Sequence, residues 1–220
     1  MPSVKIPKKS TATDMTPFVD VAFLILSFFM LATKFKPPEP VEITTPRSVS
    51  SDKLKEQDAL LIEMDKNGRV YFTVNVQKSA DEGIKKSVIE GINKARNLGL
   101  TQSEMNSFAK NTTVGVPFTG LKSLLAMSDE DRLKVKQPGI PVTDTLNNEL
   151  TTWVATAVSA FQGHKLNYMI KGDNAAKYPS FKGIIDALRK NDINKYQLIT
   201  DPEGVPAGTD LYKIQEAKRK

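Results

Sequence analysis

Asp20 is the residue whose surroundings give it the clearest chemical potential. It lies in Met15–Thr33, MTPFVDVAFLILSFFMLAT, a stretch that is otherwise almost wholly apolar. Insertion scales assign about 2.5–3.5 kcal/mol to an aspartate at the centre of a membrane helix. Asp20 is about five residues from the centre of the stretch, about 8 Å along a helix axis, so the cost is reduced but not removed. Such a group is expected to face protein or a water-filled cavity. A carboxylate deprived of water takes up a proton more readily. A proton crossing a membrane gains about 2.3 kcal/mol per 100 mV of potential. A carboxylate that alternates between two water-accessible sides can turn that gradient into motion, provided helices of another polypeptide enclose it.

The neighbours of Asp20 form one polar stripe. Thr13, Asp20, Ser27 and Lys34 are spaced by sevens and fall on nearly the same side of a helix. Thr16 lies one turn before Asp20 on that side. Val19, Phe23, Leu26, Phe28, Phe29 and Met30 occupy the other faces. The same pattern would also serve as a packing seam between two spans, with Asp20 hydrogen-bonded to a serine or threonine.

Other chemistries have little to rest on. The 220 residues contain no cysteine and one histidine, His164. This excludes disulfides, thiolate metal sites and thiol nucleophiles, and it leaves a histidine triad or metal cluster without partners. Gly172-Asp173-Asn174 reads as a turn, and no Gly-rich loop ending in Lys-Ser/Thr exists. No cofactor is expected. The net charge of +6 comes without a dense basic run interleaved with aromatics, so nucleic acid is not an expected partner.

The elements that must position Asp20 follow from the distribution of apolar residues. Residues 15–34 meet the length of about 20 residues that a bilayer core requires. Pro17 sits where a helix start tolerates it, and Pro37, Pro38 and Pro40 block continuation. A cleavable leader is the competing reading. The run is long for one, carries Asp20 and lacks a small-x-small cleavage site, so an uncleaved single span is expected. A short basic tail, residues 1–14, would stay cytoplasmic. The long remainder would be exported across that membrane; the family resemblance described below implies a bacterial inner membrane and a periplasmic domain.

Residues 35–58 read as a Pro-rich linker. Residues 59–200 read as a small α+β domain with helices packed on a mixed sheet. Strands are expected at Leu60–Met64 and Arg69–Val76, joined at Asn67-Gly68. A helix is expected at Gly83–Leu98. Residues 99–142 look irregular, with a helix at 119–127. A further helix, capped by Thr143 or Asp144, would carry Leu146, Leu150, Trp153, Val154, Ala157 and Phe161 and close at Gly163. Strand Leu166–Ile170, helix Pro179–Lys190 and strand Lys195–Thr200 follow. Residues 201–220 form a basic tail.

Thr16-Pro17-Phe18-Val19-Asp20 resembles the motif that opens the single span of the ExbD/TolR biopolymer-transport family. Tyr168-Met-Ile-Lys171-Gly-Asp173, Tyr178–Leu188 and Tyr196-Gln-Leu-Ile-Thr200 resemble the strand–helix–strand that closes the periplasmic domain of ExbD. Leu60–Thr73 resembles its first hairpin. The segment 77–150 is longer than the connection expected there. The resemblance implies that Asp20 is the proton-bearing residue. It implies a pair of such subunits inside a ring of ExbB-like multi-span subunits, driving a TonB-like transducer, and no enzymatic activity. It leaves open the TolR-like branch, which serves envelope constriction. A membrane-tethered exported binding module is the alternative of a different class.

Overall fold

The computed structural model describes residues 15–32, 42–49, 58–76, 81–206, 208–210, 212 and 217. The expected tail 1–14, the linker residues 35–41 and 50–57, and Lys213 and Lys218–Lys220 of the C-terminal tail lie outside them. The chain forms two compact units, Met1–Pro38 and Glu39–Lys220.

Among its described residues the first unit contains one helix, α1 (Thr16–Ala32), of 17 residues. At 1.5 Å per residue this is about 25 Å. Among the described residues no helix is long and apolar enough to cross a membrane. The expected span runs two residues past the end of α1, onto Thr33 and Lys34, which are outside the described set.

The second unit is a mixed sheet with helices packed on it, as the α+β pattern led us to expect. Strands β2 (Ala59–Met64) and β3 (Val70–Asn75) form an antiparallel hairpin. Strands β4 (Asn167–Gly172) and β5 (Gln197–Ile199) add in parallel, giving the order β3-β2-β4-β5. A further two-residue strand, β1 (Arg47–Ser48), pairs in parallel with β6 (Asp201–Pro202).

The hairpin owes its register to its turn. Gly68 has φ +80°, a conformation natural to glycine, and its N–H donates to the Asp65 carbonyl at 2.9 Å. The buried Asp65 carboxylate accepts from the backbone N–H groups of Asn67 (3.0 Å) and Arg69 (2.8 Å) and from Arg69 Nε (2.7 Å). With the turn fixed, Leu60, Ile62, Val70, Phe72 and Val74 fall on one face and enter the core with Ile170 of β4.

Helices α2 (Asp81–Arg96), α6 (Glu149–Ala160) and α7 (Tyr178–Arg189) supply the apolar residues that meet this face. Trp153 of α6 is wholly buried. Its ring lies 5.3 Å from Phe72, 5.9 Å from Phe108 and 5.7 Å from Phe118.

Residues 99–142 are not irregular. They hold α3 (Gln102–Lys110), α4 (Phe118–Ala126) and α5 (Asp129–Lys134). Thr101 and Glu104 form a reciprocal cap at the start of α3, with Thr101 N–H donating to Glu104 Oε2 at 2.7 Å and Glu104 N–H to Thr101 Oγ1 at 3.3 Å. Phe108 and Phe118 bring α3 and α4 against Trp153. The segment also covers the outer edge of β3: Phe72 and Val114 exchange two backbone hydrogen bonds, and Ile140 N–H donates to the Val70 carbonyl at 2.8 Å. Gly115 lies so close to Tyr71 that a Cβ there would overlap the phenol ring.

Helix α6 begins later than its periodicity suggests. Its cap is Asn148, not Thr143 or Asp144, and Leu146 is 97% exposed. Asn148 Oδ1 accepts from Leu150 N–H at 3.1 Å, while its Nδ2 donates to the carbonyls of Val142 (3.3 Å) and Gly183 (2.8 Å). The side chain that starts α6 thus also pins the preceding loop to α7, which leaves Leu146 outside.

Candidate functional site

Helix α1 carries every residue singled out for proton chemistry. Thr16, Pro17, Phe18, Val19 and Asp20 form its first turn and a half. Thr16 and Asp20 are four residues apart and share a face. Ser27 lies seven residues beyond Asp20, about 10 Å along the axis. Its hydroxyl donates to the Leu24 carbonyl of its own helix at 2.9 Å. The stripe therefore contains two kinds of polar group: a carboxylate in the second turn, and a hydroxyl already satisfied within the helix. Distance rules out a direct bond from Ser27 to Asp20, and water could join them only through a chain of molecules.

Apart from Thr16, the side chains the helix shows around Asp20 are apolar: Phe18, Val19, Val21, Phe23 and Leu24 are all more than half exposed within the unit. Seventeen residues with one ionisable group and such a surface are built to be covered by something apolar.

In the second unit, the described residues contain no group of His, Asp and Glu placed to hold a metal ion. His164 follows Gly163 at the end of α6, and its backbone N–H donates to the Phe161 carbonyl at 2.9 Å. A groove of about 270 Å³ lies at the carboxyl ends of β4 and β5. Met64, Ile170, Phe181 and Leu198 form its apolar lining, with Pro46 and Tyr178 beside them. Leu198 is 52% exposed and Tyr178 72%.

Pro46 arrives there on the segment expected to be linker. Thr44 N–H donates to Asp173 Oδ2 at 3.0 Å, and the Thr44 carbonyl accepts from Asn174 N–H at 2.8 Å. The carbonyls of Pro46 and Ser48 accept from Asp201 and Glu203 N–H at 3.0 and 2.9 Å. No local signal announces these contacts, because each joins residues more than a hundred positions apart.

A family model described as biopolymer transport protein ExbD/TolR matches residues 7–203. The chain belongs to the ExbD/TolR family. The bounds of the match enclose the motif on α1, the hairpin and the closing strand–helix–strand. Residues 77–150, which exceed the connection expected from the resemblance, lie between the ends of that match. No individually curated protein and no solved structure matches the chain. Membership identifies a biopolymer-transport subunit in general terms and leaves the ExbD and TolR branches undivided.

Proposed function

We propose that this protein is the single-span subunit of a proton-driven motor in a bacterial inner membrane, with Asp20 as its proton carrier. The observation that carries this reading is an aspartate in the second turn of a helix whose other faces are apolar, in a chain of the ExbD/TolR family. Helix α1 is short by about one turn for a hydrocarbon core of about 30 Å. Local thinning of the bilayer absorbs such a mismatch at a fraction of a kcal/mol per ångström. Residues 1–14 would be cytoplasmic and the α+β unit periplasmic.

In this reading two copies of α1 sit within a ring of ExbB-like multi-span subunits, which supplies the walls one helix lacks. Asp20 takes up a proton from one side, loses its charge, moves to the other side and releases it. Thr16 can hydrogen-bond the carboxyl from one turn away, and Ser27 marks the continuation of the polar stripe. The periplasmic unit passes the motion to a TonB-like transducer for outer-membrane transport and pairs with its twin through β5. The protein itself catalyses no covalent chemistry and holds no cofactor.

Asp20→Asn keeps the shape and removes the titrating group. The variant is expected to be expressed and to assemble with the multi-span partner, while proton-dependent nutrient uptake is abolished. Uptake at the wild-type rate by the assembled variant would defeat the reading. Loss of envelope integrity with uptake unchanged would assign the chain to the TolR-like branch.

A further inference from the structure

We propose that the α+β unit carries a small-molecule site between α7 and the loop 142–148, and that this site takes a zwitterion of net negative charge, of the class of an acidic amino acid. A pocket of about 300 Å³ lies there, the volume at which sites for small ligands begin. Its walls are joined to each other without a ligand. Gly183 of α7 comes so close to Val142 that a Cβ would overlap the Val142 carbonyl. Asn148 Nδ2 donates to the carbonyls of both Val142 and Gly183. These three residues clamp the loop to the helix and line the pocket. A site held in this way has less order to impose when it binds.

The charges on the lining select the ligand. Lys182, Asp186 and Lys190 follow one another at four-residue steps along one side of the pocket, about 6 Å apart along the helix axis. The row reads positive, negative, positive. Side chains at this spacing can pair on a helix surface. Here the Lys182 ammonium and the half-buried Asp186 carboxylate make no hydrogen bond or ion pair with the described residues. Lys190 Nζ donates across the pocket mouth to the Thr145 carbonyl at 2.8 Å, and two of its three N–H donors remain for a ligand. Thr143, Thr145 and Tyr178 add hydroxyl-bearing side chains to the lining. A phosphate would set its charge against Asp186, and a simple amine would meet Lys182 and Lys190. A molecule with one ammonium and two carboxylates opposes all three groups with the right sign. Its single net negative charge balances the single net positive charge of the row. Rejection of the wrong charge is as much a part of such selectivity as attraction of the right one.

Titration calorimetry on the full chain tests this with three probes: L-glutamate, glutarate, which lacks the ammonium, and 4-aminobutyrate, which lacks one carboxylate. L-Glutamate is expected to bind at one site per chain with a Kd of about 1 mM or tighter. Glutarate and 4-aminobutyrate should each bind at least about tenfold more weakly, the least that one lost charge-assisted hydrogen bond implies. Lys182→Met keeps most of the stem and should weaken L-glutamate by a similar factor. Asp186→Asn should weaken L-glutamate and strengthen glutarate, because it removes a repulsion. That gain of binding cannot come from a misfolded variant. No saturable binding of L-glutamate, equal affinity for glutarate, or an affinity untouched by Lys182→Met would each overturn the proposal. None of these readouts involves proton flux, so the result stands apart from the role of Asp20.

Discussion

At the scale of single residues, two buried carboxylates have opposite consequences for stability. Burial alone would raise the Asp65 carboxyl, but hydrogen bonds and charge from Arg69, with a bond from Asn67, outweigh it and hold it below the usual value. A folded-state value below the unfolded one stabilises the fold above the unfolded carboxylate range, about pH 4. That contribution is lost as pH falls through the folded value. Asp65→Asn is therefore expected to cost about 2 kcal/mol at pH 7, the range of hydrogen bonds to charged groups. The gap to the wild type should narrow below about pH 4, as urea unfolding across pH would show. Burial pushes the Glu149 carboxyl up, against the Phe118 N–H it accepts and the charge of Arg96. Its sign is reversed: the folded state binds the proton more readily, so this group adds stability as pH falls toward its raised value. Glu149→Gln keeps an acceptor for Phe118 and should match or exceed the wild type at pH 7. A clear loss in the same unfolding series would show that the charge itself is needed.

At the scale of elements, local signals were legible where they were complete in themselves. Asn67-Gly68 between two β-rich runs specifies the hairpin, because only a turn with positive φ at Gly68 serves there. The helix expected over Pro179–Lys190 agrees with α7 to one residue, since its apolar spacing has a proline start and a clear face. Helix α3 was readable in principle: Thr101-Gln-Ser-Glu104 is a capping box. It is nine residues long and only Met105, Phe108 and Ala109 are apolar, so periodicity alone passed over it. Leu146 misled for the opposite reason. Its spacing fits α6, but the helix begins where Asn148 can accept from Leu150 N–H and donate to the Val142 and Gly183 carbonyls. Thr101→Ala should cost about 1 kcal/mol, the usual value of a lost N-cap, and Asn148→Ala more, because it also frees the Val142 and Gly183 carbonyls. Thermal unfolding of the two variants checks the order. Equal losses would contradict the role of Asn148 as a tie between α6 and α7.

At the scale of the whole molecule, the sequence shows the division into an apolar helix and a polar α+β unit. The role of the long middle segment depends on contacts it cannot show. Residues 99–142 supply Phe108 and Phe118 to the cluster around Trp153 and cover the edge of β3. They are part of the core, not an attachment to it. Replacing 101–140 with a short Gly-Ser connection is expected to yield an unfolded unit, whereas a surface insertion would be removable. Circular dichroism on the shortened chain decides between them. The docking of residues 42–49 was equally hidden, since a Pro-rich composition reads as spacer whether or not it binds its own domain.

The candidate site on α1 is proposed from the sequence for a simple physical reason: an ionisable group in apolar surroundings is costly, and so it is conspicuous. What it does there rests on one claim, that protons cross by way of Asp20. The direct measurement is proton flux into vesicles containing the purified complex with its multi-span partner, under an imposed potential. The wild-type complex should acidify the vesicle interior, and the Asp20→Asn complex, assembled to the same extent, should show no flux above empty vesicles. Equal flux through the two complexes would contradict the account.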